Sequence, residues 1–562
     1  MTAPAFTQDA GRRFREMLVG LVFASPLYGA ALGGRTARLR GAAPDPWVGE
    51  PEAARNLLAG RYVFCGEEIL APNLPPWAPQ GVSEAWAAEL HGFAWLRDLA
   101  ADGSPASREA AVRLVGLWLG QYRRWHPLAW RPDVLGRRLL GWLGHAEFLL
   151  SGATPEAEAL LLDGLARQTR HLARSAAFAS PGPPRLTAAI GLVAGTLSLG
   201  LSRRALGRGL DLMAREIGQQ VLGDGGHASR NPATHLAVLR DLIQARGVLM
   251  AAHHEVPEAL QNAIDRLAPM LRFFRHGDGR LALFNGSREG VDGLADQTLV
   301  LADAPGRALT SARHSGFERL VARRTLVLLD AGVPAPAATF YGMHAGLLAF
   351  ELSVGRERLI VNGGAPERPS VAWTRAMRAT AAHSTLTLAD TNAVHLDDAG
   401  RLKGAAPMVA AERSEAEGSV WIEAYHEGYR ESFGLVHRRR LYLDESGEEL
   451  RGEDSLIGRP RHPLNFAIRF HLHPQVHASL VQNGAAALFR LPGGSGFRLV
   501  VSSGSELRLE ESIYLGAGPM RRNEQVVIHG IAEGEETIIK WFLTRIAASR
   551  GSRGRGDQHG EL

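Results

Sequence analysis

The chain has 562 residues, 45% hydrophobic and 22% charged, which are globular values for a chain too long for one ordinary core. Its single cysteine, Cys65, excludes an internal disulfide framework, a cysteine-built zinc finger and an iron–sulfur cluster. The formal net charge is +5, and lysine occurs only at Lys403 and Lys540. Nearly every base is therefore arginine, which suits two-pronged recognition of carboxylate, sulfate or phosphate, although composition bias is the favoured explanation.

In chain order, the first feature is the apolar stretch from Met17 to Leu32 behind Arg12-Arg13. Glu16, Pro26 and Tyr28 spoil it as a secretory signal, so an amphipathic helix and a cytoplasmic location are expected, with the periplasm as the alternative. No run reaches the ~18–20 apolar residues of a membrane span. Helical spacing then dominates. Ser104-Pro105 and Thr154-Pro155 are cap-plus-proline starts, leading to helices through Trp125 and Leu172. Between them Asp133 opens another. Arg185 to Leu201, Leu210 to Val221, Pro232 to Met250 and Pro257 to Phe274 continue the series. Short breaks predict antiparallel helical hairpins in a ring or bundle.

Past residue 310 the period changes to that of strands. Arg324–Asp330, Leu347–Ser353, Arg358–Val361, Ser384–Ala389, Val420–Tyr425, His437–Leu443, Leu464–Leu472, Phe497–Val501 and Thr537–Leu543 are β-branched or alternating. With no helices between them, an antiparallel sandwich is expected. The division is a helical domain over 1–305, a β-sandwich over 306–548 and an unstructured Gly/Arg/Ser-rich tail over 549–562.

The densest polar cluster runs from Gly223 to His235. Asn231 is a good N-cap and Pro232 a good first helical residue, so His227, Arg230 and Asn231 fall at a helix mouth that favours an anion. His235 follows one turn in. In the β half, Tyr341–Gly346, Trp373–Thr385 and Arg469–Pro474 stand out. His471 and His473 share a strand face, but without a carboxylate they read as structural rather than metal-ligating. No metal, nucleotide or flavin motif is present, and Gly493–Gly496 and Ser503–Ser505 read as turns. The arginines are spread along the chain, unlike a nucleic-acid module.

At these motifs the chain resembles the heparinase II/III family of polysaccharide lyases and lyase-like proteins. The resemblance rests on His91–Asp98, Trp130–Trp142, Asp224–His227, His344-Ala-Gly346 with Leu348–Glu351, Val361–Gly364 and Thr380–Thr385. It implies an α/α toroid followed by an antiparallel β-sandwich. It also implies β-elimination on a uronate polymer: a carboxylate is neutralised, a base removes the α proton, and an acid protonates the leaving oxygen. Carried over by motif, His383 matches the family's β-domain catalytic histidine, and His235 matches the histidine beside its catalytic tyrosine. That tyrosine is Thr234 here, a far weaker acid. The family's Asn-His pair reads Pro184-Arg185-Leu186, and Gly346 stands where many members have Asp.

The expected roles are acid/base for His383, His235 and His227, and substrate binding for Arg230, Asn231, Arg185, His344 and Arg469, with Tyr341, Tyr425 or Tyr429 as a substitute phenol. The expected partner is an acidic polysaccharide, with no cofactor. Two alternatives stand beside the lyase. One is a non-catalytic glycan-handling protein. The other is a glycosidase using two of Glu84, Glu89, Asp98 and Asp133.

Overall fold

The computed structural model describes residues 20–34, 38–72, 76–77, 79–334, 342–368, 370–502 and 505–546. Tyr341, Ser503 and the tail from 549 lie outside the described residues, as does the start of the Met17–Leu32 stretch. Within that stretch Pro26–Ala31 is helical, capped by Ser25.

Described helices dominate up to Ala302, and strands begin at Ser311. Cap-plus-proline chemistry sets the starts. Ser104, Thr154 and Asn231 each accept a hydrogen bond from the backbone N–H three residues on, and Pro follows each. Such a cap contributes about 1 kcal/mol. The helix from Pro105 ends at Gln121 rather than Trp125, because Tyr122 turns out of helical geometry. The helix expected from Leu210 already begins at Arg203. Before the first strand of the sandwich, the helices Pro51–Leu58, Glu84–Gly92, Leu96–Asp102 and Leu294–Ala302 and the hairpin Arg61–Phe64 with Glu67–Leu70 were not foreseen.

Together the helices form an α/α toroid. Its most enclosed member is Pro183–Ser198, which packs on Pro132–Gly144, Arg203–Gln220 and Pro232–Ala251. Glycine permits the closest approach: a Cβ on Gly191 would stand 2.5 Å from the Cα of Gly136. An aromatic cluster of Phe93, Trp118 and Trp142 fills the adjoining core.

The second half is an antiparallel sandwich. One sheet of eight runs in the order His477–Val481, Ala486–Arg490, Gly496–Val501, Glu536–Ile546, Glu449–Ile457, Val436–Leu443, Ser419–His426, Val409–Ala416. The other, of nine, is centred on Leu464–Leu472, Glu357–Val361, Phe350–Val354 and Thr325–Asp330. Phe350, Phe470 and Trp541 join the two, with Phe350 stacked on Trp541 at 5.8 Å. The helix Val371–Arg378 and the single turn Arg430–Phe433 interrupt the strands, contrary to the expectation of none.

Buried polar contacts fasten toroid to sandwich. Arg230 pairs with Asp330, His276 with Glu351 at 2.9 Å, Arg358 with Asp278 at 2.8 Å, and the Tyr514 hydroxyl with Glu289.

Candidate functional site

The seam gathers part of the expected set. Asn231 caps the Pro232–Ala251 helix through Oδ1 and donates from Nδ2 to the Asn285 carbonyl at 2.7 Å. Asn285 in turn donates to the Arg230 carbonyl at 3.2 Å and to Asp330 at 3.3 Å, and accepts from the His344 backbone at 3.5 Å. Next to it, Gly286 has φ +81°, and a Cβ there would lie 3.1 Å from His344 Nε2 and 3.7 Å from Asn231 Nδ2. Sequence reasoning missed Asn285, although its Asn-Gly turn pair was a visible signal.

His344 and His383 form one unit. His383 Nδ1 lies 2.8 Å from the Ala379 carbonyl, which can only accept, so that nitrogen carries the proton. His383 Nε2 then accepts from His344 Nδ1 at 3.1 Å. This leaves the His344 Nε2 lone pair facing Gly286 and Asn231. Burial pushes His383 down to about 4 and holds His344 well below the usual imidazole range. Both rings are therefore neutral near pH 7. Gly346 makes room for them: a Cβ there would stand 2.7 Å from His383 Cδ2.

The remaining expected residues have other occupations. His227 is buried, bonded to Ser229 at 2.7 Å and to Gln220 at 3.2 Å, and burial lowers it to about 3. His235 is fully buried, bonded to the Leu267 carbonyl at 2.9 Å and edge-on to Phe274, and burial lowers it to about 4. Arg230, at φ +57°, donates to the Ser315 carbonyl, pairs with Asp330 and lies 4.8 Å over the Phe317 ring. Arg185 is held by Glu216 at 3.2 Å and by the Ala179 carbonyl, and Arg469 faces Glu510 at 3.5 Å. Arg230 and Arg185 thus each hold one carboxylate and one carbonyl of the chain itself, and Arg469 faces a partly exposed carboxylate.

The two alternative phenols are also taken. Tyr429 is fully buried with its hydroxyl on the Leu386 carbonyl, and burial raises its pKa. The Tyr425 hydroxyl contacts Met408 sulfur. His471 bonds Ser512 and the Ala381 carbonyl, and His473 faces Glu289.

From this corner the Pro232 helix runs along a cleft. Thr234 lies in its first turn, and Ala237, Val238 and Asp241 line a cavity of about 210 Å³ together with Glu89 and Arg137. At a rise of about 1.5 Å per residue, that cavity begins about 9 Å from Asn231. Glu89 also lines a larger cavity of about 490 Å³, with Asp98, Arg97 and Arg240. The structure therefore brings Glu89 together with Asp98 on one side and with Asp133 on the other. Glu84 pairs with Arg131, outside both linings.

The family model for the heparinase II/III-like C-terminal region matches residues 304–542. FtsZ-localized protein C of Caulobacter vibrioides is 33% identical over 519 residues, covering 89% of each chain. A crystal structure of heparinase III superposes with a TM-score of 0.71 at 13% identity, covering 94% of this chain and 92% of that one. A mutant of the heparan sulfate lyase HepC from Pedobacter heparinus gives 0.64 at 15% identity, covering 88% and 82%. At such identities these structures speak for the fold alone.

Proposed function

The chain belongs to the heparinase II/III family, and on that footing we propose that it holds an acidic polysaccharide in its toroid cleft without tyrosine-assisted β-elimination. One observation carries this reading. Thr234 stands beside His235 where the family's lyases present a phenol, and no described tyrosine hydroxyl bonds to His344 or His383. Of the expected clamp of Arg230, Asn231 and Arg185, the two arginines pair with Asp330 and Glu216.

The test is to incubate the protein with uronate polymers, following calorimetric binding and the ultraviolet absorbance of an unsaturated uronic product. Binding without new absorbance is expected. Sustained growth of that absorbance overturns the reading.

The neutral His344–His383 pair supports a second reading, elimination with His344 Nε2 or His383 taking the proton and the Asn231 amide against the carboxylate. It requires turnover that disappears in His383→Ala. The name of the 33% identical relative supports a further element: this chain also gathers with FtsZ, in the cytoplasm. A fluorescent fusion that fails to coincide with FtsZ removes that element alone.

A further inference from the structure

Three guanidinium groups line the 490 Å³ cavity: Arg61, Arg97 and Arg240. Arg61 is paired with Glu68 at 2.6 and 2.8 Å, and Arg97 with Asp45 at 3.0 Å. Arg240 differs. Its guanidinium lies 4.3 Å over the buried Trp47 ring, yet it makes no hydrogen bond or ion pair with any described residue, and its Nε is buried without an acceptor. Burial pushes its pKa down to about 10, which still leaves it charged near neutral pH. A buried donor left unmade is costly, and buried charges are normally paired.

The rest of the wall narrows the choice of anion. Asp98, Glu89 and Glu50 also face the cavity. They would repel a multiply charged phosphate, but they are good acceptors for neutral hydroxyl donors. Trp95, Leu57 and Leu294 add apolar surface. One unpaired cation, several hydroxyl acceptors and an apolar patch match a single acidic sugar: one carboxylate, several hydroxyls and C–H faces. The cavity's size falls within the usual range for small ligands.

We infer that Arg240 is the carboxylate-binding residue of an acidic-sugar subsite, with Asp98 and Glu89 accepting hydrogen bonds from the hydroxyls of the same sugar. This deepens the reading of the cleft as an acidic-glycan site and rests on it. It places the recognition charge not on Arg230 or Arg185 but two turns into the Pro232–Ala251 helix.

The test is calorimetric titration of the full-length protein with a trigalacturonate or glucuronate oligomer, a neutral oligosaccharide of the same length, and inorganic sulfate. The acidic oligomer should bind at least about tenfold tighter than the neutral one. Arg240→Gln should abolish that preference, Arg240→Lys should keep part of it, and Arg508→Gln, which removes an exposed guanidinium paired with Glu506 outside the cavity lining, should leave it intact. All variants are checked for an unchanged melting temperature. If the acidic oligomer binds and Arg240→Gln binds it equally well, the subsite is wrong while the glycan reading stands. If no acidic oligomer binds the wild-type protein, both fall. Arg240-dependent binding of sulfate without any sugar overturns the sugar assignment.

Discussion

Arg230 and Arg240 are ten residues apart on one stretch of chain, yet the regions around them behave oppositely. Around Arg230 the charge is matched within the chain. Its guanidinium meets Asp330 and the Ser315 carbonyl, and Asn285 ties together its own carbonyl, Asp330 and His344. Around Arg240 the cation has an aromatic face beneath it and no hydrogen-bond acceptor among the described residues. A charge paired within the chain holds a shape, whereas an unpaired one beside open volume offers interaction energy to a ligand. The part of the cluster that looked most like a binding site by composition is therefore the part that fastens the two halves together.

The largest expected effect tests how strictly the neutral interior depends on pH. Burial lowers His227 to about 3 and His235 and His383 to about 4, so as pH falls the unfolded chain, with histidines near 6.5, takes up protons first. Their stabilisation is complete above about pH 6.5 and is lost on the way down towards 4, at up to about 1.4 kcal/mol per pH unit for each histidine. Urea midpoints should drop steeply between pH 7.5 and 5, and His383→Gln should flatten the slope by up to one proton. Identical midpoints would contradict the buried, neutral assignment. Next in size, Asp330→Ala strands the Arg230 charge in the interior and should cost about 3–5 kcal/mol in denaturant titrations.

A smaller loss is expected from Gly346→Ala, whose Cβ collides with the His383 ring. Overpacking of this kind costs about 1–3 kcal/mol, and the imidazole resonances of both histidines should shift. Smallest of all, Arg240→Met should change stability by no more than about 1 kcal/mol, because no described residue forms an ion pair with it and the close contact exchanged is that with Trp47. A loss as large as that of Asp330→Ala would erase the contrast between the two regions.

Local chemistry made much of this fold legible. Asn231-Pro232 announces a helix start, and the alternation in His437–Leu443 announces a strand with one buried face. Strands such as Val409–Ala416 and Arg521–Ala532 escaped notice because charged residues crowd them: Glu412, Arg413 and Glu415 in one, Arg521, Arg522 and Glu524 in the other. The site was harder to read. Residue type flagged Arg230, but its partner Asp330 lies 100 positions away, and only the fold shows that the charge is already matched. Arg240 escaped for the converse reason. It sits inside an ordinary helical pattern, and its lack of a partner is a property of three-dimensional surroundings that spacing does not encode.

The seam contacts also bear on any attempt to dissect the polypeptide. A cut between Ala302 and Ser311 falls in a natural gap between helices and strands, yet it would not release two self-sufficient modules. The strand fragment would carry Asp330, Glu351 and Tyr514 stripped of Arg230, His276 and Glu289. Such a fragment would be born with a ready-made set of polar wounds along one flank, and mixing the two pieces should heal them.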